Sequence, residues 1–304
     1  MRSSPIIILN HNLAYLGGTF LRGNQTWAHV PCIPPDCFIQ CASKPSPTIS
    51  CDPGPPIRPS TLTCDHGGVS QTFHNIIFGI PEQNVVACVP EKVFDFATIV
   101  PGSKETYIYD ENDEGEYARN YRASFYAYTW RKAGWDCLRH YEILASGTLP
   151  FFSDLASAPS TVLSFLPKDL IMQGMSLPGV PHRKGKTINH GQFPRDEYYA
   201  IACKALEYTR RHLTTKAVAQ YVLDTLGKPH ARKVLLLSDK NMADYMRETI
   251  THGMRDLLGA GFVDFPAFDF MYDYPVNTPP NKLEKKRLYG QGFSYSHRLP
   301  QLNI

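Results

Sequence analysis

The stretch SFYAYTWRKAGWDCLRHYEILASGTLPFF, residues 124–152, decides the fold. Its opening, Ser124–Trp130, is aromatic and β-prone, which reads as a buried strand. A polar, glycine-containing turn follows, and the spacing then predicts a helix from Asp136 to Ala145, closed by Ser146-Gly147. Thr148–Phe152 reads as a second strand. A strand, a helix and a strand over connections this short form a βαβ unit, which requires parallel strands. The fold class is therefore α/β with a parallel sheet.

Working outward, Phe94–Val100 is a strand ending at Pro101-Gly102, residues 110–116 form an acidic loop, and Tyr117–Tyr121 is helical. Helical periodicity runs from Arg195 to Leu226, breaks near Leu213-Thr214-Thr215 and closes at Gly227. Lys233–Ser238, a helix over Met242–Leu258 stopped by Gly259, and Phe262–Phe265 repeat the strand–helix–strand order. Pro5–Leu9 is a short strand, and Thr61–Cys64 is another, ending at Asp65-His66-Gly67-Gly68. Nine prolines in residues 31–59 exclude a sustained helix or ladder there. The tail after Phe265 reads as surface loops.

The chain has 304 residues, enough for about two domains. Thirty-one basic against 28 acidic residues give a net charge of +3, too little for the global field of a nucleic-acid binder. Aromatic residues at 12% exclude wholesale disorder. No apolar run reaches the ~18 residues of a membrane span, and the apolar run at Pro5–Leu9 is too short for a secretory core. The expectation is a soluble cytoplasmic protein. Five of the eight cysteines lie between 32 and 64 without the paired spacing of a zinc site, so reduced, mostly buried thiols and no metal are expected.

On the predicted helix Asp136, Arg139 and Glu142 stand at i, i+3 and i+6 and share a face. Asp136 is placed to cap the helix start. Arg131, Lys132 and the free amides of that start converge beyond the end of the preceding strand, a combination that suits a diphosphate. Glu142 offers two acceptor oxygens for a ribose diol, and Ser146-Gly147 lets the chain turn close to a ligand. The same stripe also fits an exposed salt-bridge ladder.

The segment resembles the donor-binding part of exostosin-type glycosyltransferases through four features in order. They are the Ser124-Phe125 strand, the Lys132-Ala133-Gly134 loop, the Arg139-His140-Tyr141-Glu142 helix and the Gly147-Thr148-Leu149-Pro150 turn. It is most similar to the xylosyltransferase branch of large algal viruses. The resemblance covers about 30 residues. It implies a shortened GT-B-like fold: two Rossmann-like domains face a cleft in unusual order, residues 1–85 plus 227–304 on the acceptor side and 86–226 on the donor side. It implies transfer of a sugar, xylose from UDP-xylose, to an oligosaccharide or glycoprotein acceptor without cofactor or metal. Glu142 would hold the ribose and Arg139 the diphosphate. Gly102, Ser103, Lys104 and Thr106 would add phosphate or sugar contacts, and Trp135 and Tyr107 stacking surfaces. An inverting transfer needs one general base, for which His11, Asp65, His66 and Asp239 are candidates at strand ends. The alternative is a non-catalytic nucleotide-sugar or carbohydrate-binding protein.

Overall fold

The computed structural model describes residues 50–54, 74–183, 185–238, 244–274, 288 and 290–301, and the backbone course of 6–11, 61–66 and 69–73. The main elements run β1 (Ile6–His11), β2 (Thr61–His66), β3 (Val69–His74), β4 (Phe94–Phe96), α1 (Glu114–Arg122), β5 (Ser124–Thr129), α2 (Leu138–Ala145) and β6 (Leu149–Phe152). They continue with α3 (Lys168–Met175), α4 (Arg195–His212), α5 (Thr215–Thr225), β7 (Lys233–Ser238), α6 (Tyr245–Leu258), β8 (Phe262–Phe265), β9 (Tyr272–Asp273) and β10 (Leu299–Pro300).

The βαβ unit forms as its pattern requires. β4, β5 and β6 make a parallel sheet in that order, with Tyr126 opposite Leu149 and Thr129 opposite Phe152. Every residue of β5 and β6 is buried, which is why the sequence runs apolar here instead of alternating. Strand alternation still sorts the side chains. Ala127 packs with Ala97, Tyr121 and Ile143, while Tyr128 packs with Phe96 and Phe151. The Tyr126 hydroxyl donates to the Gly174 carbonyl of α3 at 2.6 Å.

The second sheet is also parallel, in the order β1-β7-β8, so the N-terminal strand pairs with one more than 200 residues away. The architecture is thus mixed α/β with two short parallel sheets. One cluster of buried residues spans both, from Phe125 and Leu149 to Val234 and Phe262. The tightest junction lies between α5 and α6. A Cβ added to Gly253 would stand 2.0 Å from the Thr215 carbonyl oxygen, so only glycine lets these backbones approach.

Several expectations need correction. The strand expected over Phe94–Val100 stops at Phe96. The acidic segment 110–116 is loop only in its first half, because Glu114 and Glu116 occupy the first turn of α1, where carboxylates meet the positive helix end. α3 and β3 are additional, and Asp65 and His66 lie in an antiparallel hairpin with β3. The described part of the tail does not lie over the surface: Leu288, Phe293, Tyr295 and Leu299 are buried. The Tyr295 hydroxyl bonds the Gly79 carbonyl at 2.7 Å and Thr249 at 2.9 Å. Most of the proline-rich stretch and the helix start at 242–243 lie outside the described residues.

Cysteine usage also departs from expectation. Cys51 and Cys203 are disulfide-bonded, and so is Cys88. Cys137 stays free, its thiol pushed up to about 11, chiefly by burial, which leaves it protonated and unreactive. No helix among the described residues is long and apolar enough to cross a membrane.

Three stability predictions follow from these contacts. The double substitution Cys51→Ser/Cys203→Ser opens a loop of 152 residues' separation and should lower unfolding free energy by about 2–4 kcal/mol in denaturant titration. Gly253→Ala should destabilise by about 1–3 kcal/mol, because backbone cannot yield to the added methyl. Gly115→Ala, in α1 with nothing within 4 Å of the new Cβ, should raise stability by about 0.4–1 kcal/mol.

Candidate functional site

Parallel α/β sheets present ligands at the C-terminal ends of their strands. At that edge of the β4-β5-β6 sheet three connections meet: Gly102–Tyr107 beyond β4, Trp130–Asp136 after β5, and Ser153-Asp154 after β6. Gly102, at φ 84°, turns the first of them. The Tyr107 hydroxyl accepts the Gly102 N–H at 3.2 Å. The Arg139 guanidinium lies 5.8 Å from the centre of the Tyr107 ring. Burial pushes the Tyr107 hydroxyl up, but Arg139, the Gly102 N–H and Lys132 outweigh it and leave it below its ordinary value. Gly102, Tyr107, Lys132 and Arg139 therefore lie together at this edge and make it cationic.

Arg139 is the unusual member. It sits among the hydroxyls of Tyr107, Tyr117 and Tyr121. Its Nε is buried without a hydrogen-bond partner, and among the described residues no carboxylate pairs with it. Glu142 offsets part of the cost of this half-buried cation through space, without a direct ion pair, and an incoming anion would offset more of it.

Glu142, one turn further along α2, also faces α1 but is differently engaged. The Tyr117 hydroxyl donates to Oε2 at 2.5 Å and the Ser294 hydroxyl to Oε1 at 3.2 Å. Burial raises its pKa above the ordinary carboxylate value, against the downward pull of Tyr117, Arg139 and Ser294. The cavity beside it is about 20 Å³, room for one water. A ribose diol has no space at Glu142 in this arrangement, because the C-terminal segment fills the position.

Other expected residues have structural partners. Asp136 does not cap the helix. Cys137 is the N-cap, without a side-chain bond, and Asp136 accepts the Tyr141 hydroxyl at 2.9 Å. The Thr106 hydroxyl donates within its own turn, to Ser103 at 2.7 Å. Gly147, at φ 65°, is approached by Pro90 and Val89, so its missing side chain serves chain packing. Ser146 is buried next to it. Trp135 packs against Phe152 and lies under the Arg131 guanidinium at 5.5 Å. Ser103 is half-buried, while Lys104, Arg131 and Lys132 are exposed.

The four proposed bases are scattered. His11 ends β1 opposite Ser238, at the C-terminal edge of the second sheet. Asp65 and His66 pair with Ser70 and Val69 in the β2–β3 hairpin, and Asp239 lies outside the described residues. Among the described residues no cluster of three or more His, Cys, Asp or Glu suits a metal.

The sequence reading missed one opening at this edge. A cleft of about 340 Å³ lies at the ends of β5 and β6, lined by Tyr128, Trp130, Phe151, Ser153 and Asp154. The Asp154 carboxylate accepts the Arg131 backbone N–H at 3.2 Å. The strand-end rule, applied to β6 as it was to the other strands, points to Ser153-Asp154. The aromatic residues carried no such signal, because they read as core.

No protein-family model, no curated protein and no solved structure matches this chain.

The raised pKa of Glu142 has a definite sign. The folded state binds its proton more tightly than the unfolded chain does, so its stability contribution is complete below the unfolded value near 4.5 and falls as pH rises through the folded value. Glu142→Gln, always neutral, should flatten the decline in melting temperature above pH ~4.5; an unchanged profile means Glu142 is not the titrating group.

Proposed function

We propose that the chain is a nucleotide-sugar-dependent glycosyltransferase with its diphosphate at Arg139. One observation supports this most directly: a half-buried guanidinium that forms no direct ion pair with a carboxylate among the described residues, at the C-terminal edge of a parallel sheet, with Lys132 and Tyr107 beside it. Such a group favours an anion, and the acidified Tyr107 hydroxyl adds a hydrogen-bond donor. In the reaction an acceptor hydroxyl attacks the anomeric carbon, the bond to the diphosphate breaks, and a base takes the hydroxyl proton. The cations stabilise the negative charge that grows on the departing diphosphate. His11, Asp65, His66 and Asp239 remain the proposed bases. In this reading the GT-B-like arrangement, UDP-xylose as donor and a glycan or glycoprotein acceptor come from the resemblance of residues 124–152. Glu142 holds α1 and the C-terminal segment in place and so positions the arginine. The Cys51–Cys203 disulfide favours an oxidising compartment over the cytoplasm expected from the sequence.

A second reading, a binding protein without transfer, is favoured by the occupied surroundings of Glu142. Release of sugar from UDP-sugar in water separates the two, since a transferase leaks donor to hydrolysis.

Calorimetric titration with UDP tests the anion site. Arg139→Ala should weaken binding by about tenfold or more, the loss of a charge-assisted hydrogen bond worth about 1.5–3 kcal/mol. Arg139→Lys should restore part of it. Absence of UDP binding, or equal affinity in Arg139→Ala, rejects the reading.

A further inference from the structure

The cleft at the ends of β5 and β6 is separate in its chemistry from the cationic group at Arg139. Its walls are rings. Tyr128 stacks on Phe96 at 4.6 Å with planes 7° apart, and Phe151 meets both edge-on at 5.5 Å. That mutual packing makes the floor rigid. Trp130 is half-exposed at the side, and Ser153 and Asp154 supply oxygens at the rim. The Tyr128 hydroxyl also accepts the Gly185 N–H at 3.0 Å, which brings the loop before α4 to the same place. The loop is fixed further along, where Asp95 accepts the Ile188 N–H at 2.8 Å and pairs with His190 at 2.7 Å.

From this geometry we infer that the cleft binds a neutral pyranose ring, packed on the aromatic wall with hydroxyls donating to Asp154. Three properties of the cleft select that ligand. The volume of about 340 Å³ lies in the range of small-molecule sites and fits one or two sugar rings. Trp130, the half-exposed ring of the lining, offers a face for the apolar C–H side of a sugar, above a floor formed by the buried Tyr128 and Phe151. A carboxylate is an acceptor with about four lone-pair sites, of which the Arg131 N–H engages few, so several are left for hydroxyl donors. The same negative charge repels a phosphate. The diphosphate therefore belongs at Arg139 and an uncharged ring belongs here. The assignment of this ring as the acceptor sugar rests on the transfer reading above; the binding of a sugar does not.

The test is titration of the full chain with methyl β-xyloside, methyl β-galactoside and methyl β-glucoside, followed by ligand-detected NMR and by tryptophan fluorescence, with a parallel UDP titration. At least one glycoside should bind the native protein. Trp130→Ala should abolish that binding, and Asp154→Asn, which keeps the shape but removes the charge, should weaken it by about tenfold. UDP affinity should stay the same in both variants, so loss of the sugar site and loss of the anion site are read independently. Should Trp130→Ala fail to fold, Asp154→Asn decides alone. The inference is overturned if no glycoside binds the native chain, if both variants bind glycoside as it does, or if uridine displaces the glycoside from the cleft.

Discussion

The carboxylate of Glu142 ties together three parts of the chain that are distant in sequence. Tyr117 reaches it from α1 and Ser294 from the C-terminal segment, 152 residues away. The same segment is fastened a second time at Glu114, which accepts the Ser294 N–H at 2.8 Å and pairs with Arg298. A buried carboxyl without such partners would be strongly unfavourable. Each partner therefore depends on the others, and removing one leaves a buried polar group unsatisfied. The segment accepts backbone strain to make these contacts: Gln291, Ser294 and His297 all have positive φ without being glycine. The surrounding packing, with Tyr295 fully buried against Gly79 and Thr249, offsets that strain.

This web also sets where Arg139 sits. Arg139 and Glu142 leave α2 on the side facing α1, and Tyr117 contacts both. With Glu142 held inward, the guanidinium one turn earlier is directed towards the loops beyond β4 and β5. Its main neighbours are the hydroxyls of Tyr107, Tyr117 and Tyr121. Tyrosine hydroxyls solvate a cation without neutralising it, so the positive charge stays available.

How much was legible follows from the range of the forces involved. The βαβ unit was plain because its period, its closing Ser146-Gly147 and its short connections are all local. The break at Leu213–Thr215 was equally local: Thr214 accepts the Ala217 N–H and starts a new helix. The stripe Arg139–Glu142 was correctly placed on one face. Helical spacing, however, fixes a direction, and what covers that direction was encoded 150 residues later in a segment that reads as loop. Proline, lysine and tyrosine near the C-terminus mask a segment whose Tyr295 and Leu299 are core residues. The cysteines misled for a related reason: Cys51 finds Cys203 across 152 residues, and spacing along the chain carries no record of that.

The two regions proposed for ligand divide the work that any transfer between an anionic donor and a neutral acceptor demands. Charge must be stabilised where the diphosphate leaves, so cations belong there and carboxylates do not. Hydroxyls must be held where the acceptor enters, so acceptor oxygens belong there and phosphate must be kept out. The chain places Arg139 and Lys132 beside Tyr107 with no ion pair to a carboxylate among the described residues, and places Asp154 in an aromatic cleft. Both arise from connections leaving one edge of one sheet, and Arg131 stands between them, its backbone N–H on Asp154 and its guanidinium over Trp135. Sheet topology thus brings opposite electrostatic preferences to a common edge, and the loop sequences keep them from neutralising each other.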